Sequence, residues 1–298
     1  MIRKTKHRTK EDRIIDFIVY FLAAFIFIVT FYPFYLSIVM AFNEGKDALR
    51  GGIYFWPRVF TTENFKELVR DTSWGKALIV TILRTILGTG VTVFFTTLMA
   101  YGLSFQNLRG RKVYMIMIII AMYFSGGVIP YYMVLRSLHL INSFWVYIVP
   151  GAINMFYVLV AISFFEGIPK EMGESARIDG ASEITIYLRL IFPVSKPLLA
   201  TIAIFTAVGH WNSWYDSAFF IQNKNLRTLG YQLMSIINKA NVSNTSLDAY
   251  SGSQAQQSLT PMSIQLAAML VAVGPILLVY PFFQRYFVSG LTIGAVKG

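Results

Sequence analysis

The 298-residue chain contains no cysteine. That excludes disulfides, thiolate metal sites and a cysteine nucleophile. Charge is scarce too: Asp, Glu, Lys and Arg make up 14% of the residues, against about 25% in an ordinary soluble domain. Histidine occurs only at His7, His139 and His210, too scattered for a metal centre. No Gly-rich phosphate loop of the Walker type is present, so the chain alone is not expected to hydrolyse ATP. There is no HExxH, no GxSxG elbow and no acid pair at a useful spacing. Nothing here is built as a catalytic constellation.

What is present is apolar. Hydrophobic residues make up 55% and aromatics 16%, with a mean hydropathy of +0.55. This composition reads as an all-α, polytopic membrane protein. The net charge of +11 does not point to nucleic acid, because the bases gather beside apolar segments as topology signals do. Six spans are expected, at 14–42, 76–105, 113–135, 141–165, 198–221 and 262–286. Each has about the 20 residues a hydrocarbon core requires. Residues 1–13 carry six Lys or Arg and form a basic cytoplasmic N-terminus, ahead of one transmembrane domain over 14–298. The run that follows is too long and too aromatic for a signal peptide, and no small-residue cleavage site follows it. Residues 43–75 carry five bases and five acids and are assigned outside; 106–112 are purely basic and are assigned inside. The 222–261 loop then falls outside, the 166–197 loop and the C-terminal tail inside, and both termini are cytoplasmic.

Between the fourth and fifth spans lies Glu171–Pro197, with four acids (Glu171, Glu174, Asp179, Glu183) and three bases (Arg177, Arg189, Lys196). Its grammar is helix, turn, helix. Pro169 suits a helix start, Asp179-Gly180 a turn with left-handed geometry at the glycine, and Ser182 a second cap. Ala181, Ile184, Leu188 and Ile191 recur at helical spacing and predict one apolar face. Pro193 and Pro197 close the unit. The hairpin either rests on the bilayer surface or touches a partner.

Polar groups inside spans are expensive and normally face a bundle interior or a water-filled path. The fifth span carries His210, Trp211, Asn212, Trp214, Tyr215 and Asp216. Aromatic faces beside amide and acid groups suit a sugar ring; the competing reading is an aromatic belt at the outer interface. His210, Trp214 and Asn212 or Tyr215 are expected to share one sector of a single helix. Arg84 in the second span either snorkels outward or faces the path and meets an anionic substrate. Asn154 and Tyr157 in the fourth span are further path candidates. Pro33, Gly126-Gly127, Pro130, Pro150, Gly274-Pro275 and Pro281 interrupt the spans. They mark either ordinary kinks or a lined cavity.

Glu174-Ser175-Ala176, Asp179-Gly180-Ala181-Ser182, Ile191-Phe192-Pro193 and Pro197 resemble the EAA loop of binding-protein-dependent ABC importer permeases. Ser175 stands where the family has its first Ala, and Phe192 where it has Leu. The segments AYGLSF at 100–105, IPKEMGESARIDGAS at 168–182, HWNSWYD at 210–216 and YFVSGLTIGAVKG at 286–298 look like the carbohydrate branch. The likeness is closer to permeases for lipo-oligosaccharide, alginate or pectin fragments than to the second permease of the maltose importer. The resemblance implies a non-catalytic permease of the bacterial cell membrane that moves oligosaccharide inward. It implies a related second permease, a cytoplasmic ATPase pair that alone holds ATP and Mg, and an extracellular solute-binding protein. It makes the hairpin a coupling helix, with Glu171, Glu174, Ser175, Ala176, Asp179, Gly180, Ala181 and Pro193 at the ATPase contact. The alternative is a stand-alone secondary transporter of a small polar solute. That reading lacks ion-coupling acids within the spans, since Asp16 and Asp216 lie near span ends.

Overall fold

The structure, a computed structural model, describes residues 10–245 and 260–277. Residues 1–9 of the basic N-terminus, 246–259 of the outer loop, Pro281, positions 278–286 of the sixth span and the 286–298 tail lie outside the described residues. Among the described residues every regular element is helical, and one isolated bridge joins Asn43 to Phe60. The chain divides into two units, residues 1–70 with 236–271 and residues 71–235 with 272–298.

In the first unit α1 (Lys10–Ala41) is an uninterrupted apolar helix of 32 residues, about 48 Å long. None of its most apolar window is buried. The loop that follows is folded around α2 (Gly45–Leu49) and α3 (Glu63–Arg70). The fully buried Asn43 donates Nδ2 to Asp47 Oδ2 (3.0 Å) and accepts the Val59 N–H on Oδ1 (3.0 Å). Asn64 donates to the backbone carbonyls of Ala41 (2.8 Å) and Asn43 (3.1 Å). Amides bonded on several sides fix one path for a segment with little apolar core.

In the second unit α4 (Thr72–Ser104) is capped by Asp71, whose carboxylate accepts the Ser73 N–H at 2.9 Å. It carries the packing for the rest of the unit. α5 (Arg111–Tyr123) and α6 (Val128–Ser137) meet at a bend of 115°. Gly127, at φ +81°, supplies the turn, and Pro130 sits where the first turn of α6 tolerates it. The expected third span is therefore a sharply bent pair. The expected fourth span, 141–165, is helical mainly in α7 (Met155–Phe165). Its first half is a short 3₁₀ turn at Phe144–Tyr147 and irregular backbone through Pro150 and Gly151. Eleven helical residues reach about 17 Å, short of a hydrocarbon core of about 30 Å.

α8 (Lys170–Ile178) and α9 (Glu183–Ile186) form the two limbs of the charged hairpin. A π-helical turn at Tyr187–Ile191 and the short α10 (Phe192–Val194) lead to α11 (Lys196–Asn212), bent by 82° from the segment before it. α12 (Tyr215–Phe220) follows a break at Ser213. α13 (Leu229–Thr245) and α14 (Pro261–Leu277) each begin in one unit and end in the other. One core joins α4, α7, α11 and the π turn through Ala100, Tyr101, Val158, Ala161, Tyr187 and Ile202. The fully buried alanines let α4 and α7 approach closely. By length and composition α1 and α4 are able to cross a membrane, and the two bent pairs bring the number to four.

Candidate functional site

The hairpin closes by local chemistry. Gly180 takes φ +83°. Its N–H donates to the Arg177 carbonyl (3.0 Å) while the Ala181 N–H donates to the Ala176 carbonyl (3.0 Å). That pair of bonds is the Schellman ending of a helix, which requires a left-handed residue at this position. Ser182 then caps α9, accepting the Thr185 N–H at 3.4 Å. The observed apolar face differs from the expected one. Ile186, Tyr187 and Ile191 are buried, whereas Ile184 and Leu188 stay exposed and Ala181 is half-buried. The difference already appears at Ile186, ahead of the π turn at 187–191.

A relay of three side chains ties the hairpin to the end of α4. Arg177 donates to both carboxylate oxygens of Glu183, Nε to Oε1 at 2.6 Å and Nη2 to Oε2 at 3.2 Å. The buried Tyr101 of α4 donates its hydroxyl to Glu183 Oε2 at 2.8 Å. The Arg177 bonds hold the Glu183 carboxyl below the ordinary carboxylate range. Burial works against that shift, and the Tyr101 bond adds to it. Beside this relay, Tyr187 shares a 2.7 Å hydrogen bond with Thr97 of α4. Arg111 also bonds Glu166, and donates Nε to the Leu103 carbonyl at 2.9 Å. A cleft of about 220 Å³ opens at the hairpin root, bordered by Phe105, Gln106, Glu166, Lys170, Glu174 and Arg177. Of the expected coupling residues, Glu171, Glu174, Ser175, Asp179, Gly180 and Pro193 are exposed, while Ala176 and Ala181 pack on the core. Glu174, at the mouth of the cleft, makes no hydrogen bond or ion pair among the described residues.

The second cluster is the break between α11 and α12. His210 packs its ring on α4 at Gly88: a Cβ there would lie 2.5 Å from Nε2. Gly151 adjoins the same ring. Trp211 donates Nε1 to the Ala272 carbonyl at 2.9 Å. α11 stops at Asn212 and Ser213 is extended, with ψ 124°, so His210 and Trp214 do not share one continuous helix as expected. Asn212, Trp214 and Tyr215 are exposed. Arg84 neither snorkels nor stands free. It is buried, 3% exposed, and paired with Asp216 at 2.5 Å. Asn154 is exposed and serves as the cap of α7, accepting the Tyr157 N–H at 3.1 Å; Tyr157 is half-buried. The structure thus brings Arg84, Asp216 and His210 together with the break, and leaves Asn154 and Tyr157 on α7. Among the described residues no group of His, Asp or Glu side chains is placed to hold a metal.

Sequence reasoning missed Tyr101 and Gly88 as site residues and gave Glu183 only as one of the hairpin's four acids. Tyr101 does fall in the AYGLSF segment, and a glycine in an apolar helix signals close approach of a neighbour.

A family model described as the binding-protein-dependent transport system inner membrane component matches residues 92–293. Protein LplC of Bacillus subtilis (strain 168) is 35% identical over 295 residues, covering 99% of this chain and 98% of its own. The polygalacturonan/rhamnogalacturonan transport system permease protein YtcP of the same organism is 32% identical, covering 97% of this chain and all of its own (100%). A crystal structure of a bacterial ABC transporter involved in the import of the acidic polysaccharide alginate superposes with a TM-score of 0.82. It is 25% identical in sequence and covers 95% of this chain and 100% of that one.

Proposed function

We propose that this chain, which belongs to the binding-protein-dependent transport system inner membrane component family, carries oligosaccharide into the bacterial cytoplasm. It is a permease subunit of an ABC sugar importer. The finer reading is of six spans with both termini and the hairpin in the cytoplasm. A related second permease completes the path, a separate ATPase pair holds ATP and Mg, and an extracellular binding protein delivers the sugar. One relative is named for polygalacturonan/rhamnogalacturonan transport and another is described as importing alginate; both favour fragments of acidic polysaccharide as cargo.

The observation that carries the mechanical reading is the relay Tyr101–Glu183–Arg177. A hairpin meant to transmit force must not swivel on its root. Here a buried hydroxyl of α4 and a bidentate ion pair across the turn restrain it at two points. Ser175, Ile178 and Glu174 are left exposed on α8, where an ATPase surface would dock. In the path, Asn212, Trp214 and Tyr215 offer one amide and two aromatic faces, the chemistry that holds hydroxyls and the C–H face of a pyranose. His210, Trp211 and the Arg84–Asp216 pair support them from behind, with Asn154 and Tyr157 lining the wall further along.

The test is reconstitution. The chain should co-purify with an ATPase and a second permease, and vesicles holding the complex and its binding protein should take up oligosaccharide only with ATP. Replacement of Glu174 by Lys should leave ATP hydrolysis running while uptake falls. Uptake driven by an ion gradient without the ATPase would instead establish the secondary-transporter reading.

A further inference from the structure

Arg84 lies in the middle of apolar α4, its side chain 4% exposed. A guanidinium so placed is costly unless its donors are used. Nη1 donates to the Ser213 carbonyl at 3.1 Å. Nη2 donates to the Ser213 hydroxyl at 3.2 Å and to Asp216 Oδ2 at 2.5 Å. The Tyr147 ring covers the guanidinium at 4.6 Å, and the Tyr147 hydroxyl is itself fixed on the Leu226 carbonyl at 2.7 Å. Nε has no acceptor among the described residues.

These partners share one feature. Ser213 is the first residue past α11, and Asp216 lies in the first turn of α12. A carbonyl released from a helix end at bundle depth requires a donor. Arg84 supplies it, and Thr228 Oγ1 donates to the same oxygen at 3.4 Å. The same guanidinium neutralises the acid that opens the next helix. One cation from a third helix therefore holds both sides of the break.

We propose that Arg84 is a positioning residue that pins the α11–α12 break, and is not a receptor for a carboxylate of the cargo. By bonding Ser213 and Asp216 together it sets where Asn212, Trp214 and Tyr215 stand. The Arg84–Asp216 pair then offers cargo no free charge at the break. The proposal deepens the sugar-path reading and rests on it only for its effect on uptake.

Because the chain has no cysteine, a single A218C on exposed Ala218 of α12 reports the break by its labelling rate with a membrane-impermeant maleimide. In the assembled complex, R84Q and D216N should each change that rate at least threefold. Each should also raise the KM for uptake about tenfold, alike for a neutral trisaccharide (raffinose) and an acidic one (trigalacturonate), as loss of a buried partner would. R84K, which keeps a cationic donor for Ser213 and Asp216, should be less impaired than R84Q in labelling and in both uptakes. The proposal is overturned by an R84K that assembles yet is as impaired as R84Q. An R84Q variant that loses trigalacturonate uptake alone would also overturn it, since it would show the cation binding cargo. Should R84K not assemble, the uncharged pair R84Q/D216N decides: altered A218C labelling supports the pin and wild-type labelling refutes it. Labelling that follows these rules in a complex transporting neither sugar would leave the pin standing and remove the oligosaccharide reading instead.

Discussion

Replacing Tyr101 with Phe removes one bond and little else. The ring lies 5.1 Å from Phe105, 6.3 Å from Phe165 and 5.3 Å from Tyr187, centroid to centroid, and phenylalanine keeps all three contacts. What is lost is the 2.8 Å bond to the Glu183 carboxylate. A hydrogen bond to a charged group contributes about 1.5–3 kcal/mol. The Glu183 side chain is 53% exposed, however, and keeps Arg177, so about 1 kcal/mol is the reasonable figure. That is a factor of about five in an equilibrium. If the bond keeps the hairpin aligned with α4, sugar moved per ATP hydrolysed should fall about fivefold in vesicles while the ATPase rate holds or rises. Glu183→Gln weakens both the Arg177 and the Tyr101 contacts and should uncouple more severely. Because the two changes share one bond, the double variant should fall short of additivity by about 0.5–1.5 kcal/mol. Wild-type coupling in Tyr101→Phe, or strict additivity with Glu183→Gln, would refute the relay.

Gly180 has open space where a Cβ would stand, but its φ is +83°, so its substitutions are limited by backbone strain of about 1–2 kcal/mol for most residues. Gly180→Asn should keep most coupled uptake and Gly180→Val should lose it, as measured by uptake per ATP. Gly88→Ala drives a methyl into the His210 ring, an overpacking cost of about 1–3 kcal/mol; thermal stability of the complex should fall and Gly88→Ala/His210→Ala should recover it. The Glu183 carboxyl titrates below its ordinary value because Arg177 holds it charged. The stabilisation it gives the hairpin is therefore complete above the unfolded carboxylate range and is lost as pH falls through the lowered folded value. The mobility of a spin label at Ser175→Cys should hold steady at neutral pH and rise only in acid, and in Glu183→Gln that acid step should vanish.

The parts of the hairpin that depend on neighbours in sequence were legible. Asp179-Gly180 forms the turn and Ser182 the cap because each acts over three to five residues. The face of α9 was not legible, because Ile184 and Ile186 are equally apolar in the sequence and only packing on the shared core selects Ile186. Hydropathy also reads 141–165 as one span, since irregular apolar backbone around Pro150 and Gly151 looks the same to it as helix. Nor does any local pattern join Arg84 to Asp216 or Tyr101 to Glu183, which meet across 132 and 82 positions. The polar character of HWNSWYD at 210–216 is visible in the sequence; that its acid is consumed by an arginine on another helix is not. The resemblance at Glu174–Gly180 correctly indicated the family, since that short stretch lies within the matched 92–293 segment.

If a separate motor grips this chain through the exposed side of α8, a cross-link should capture the contact. With Ser175→Cys as the sole cysteine of the chain, a short cysteine-to-lysine reagent applied to the assembled complex in inside-out vesicles should join the permease to its ATPase, and should do so in high yield. No reaction should occur in right-side-out vesicles with an impermeant reagent. Labelling from the outer face, or a hairpin that reacts with lipid and never with an ATPase in a complex that transports sugar, would contradict the account.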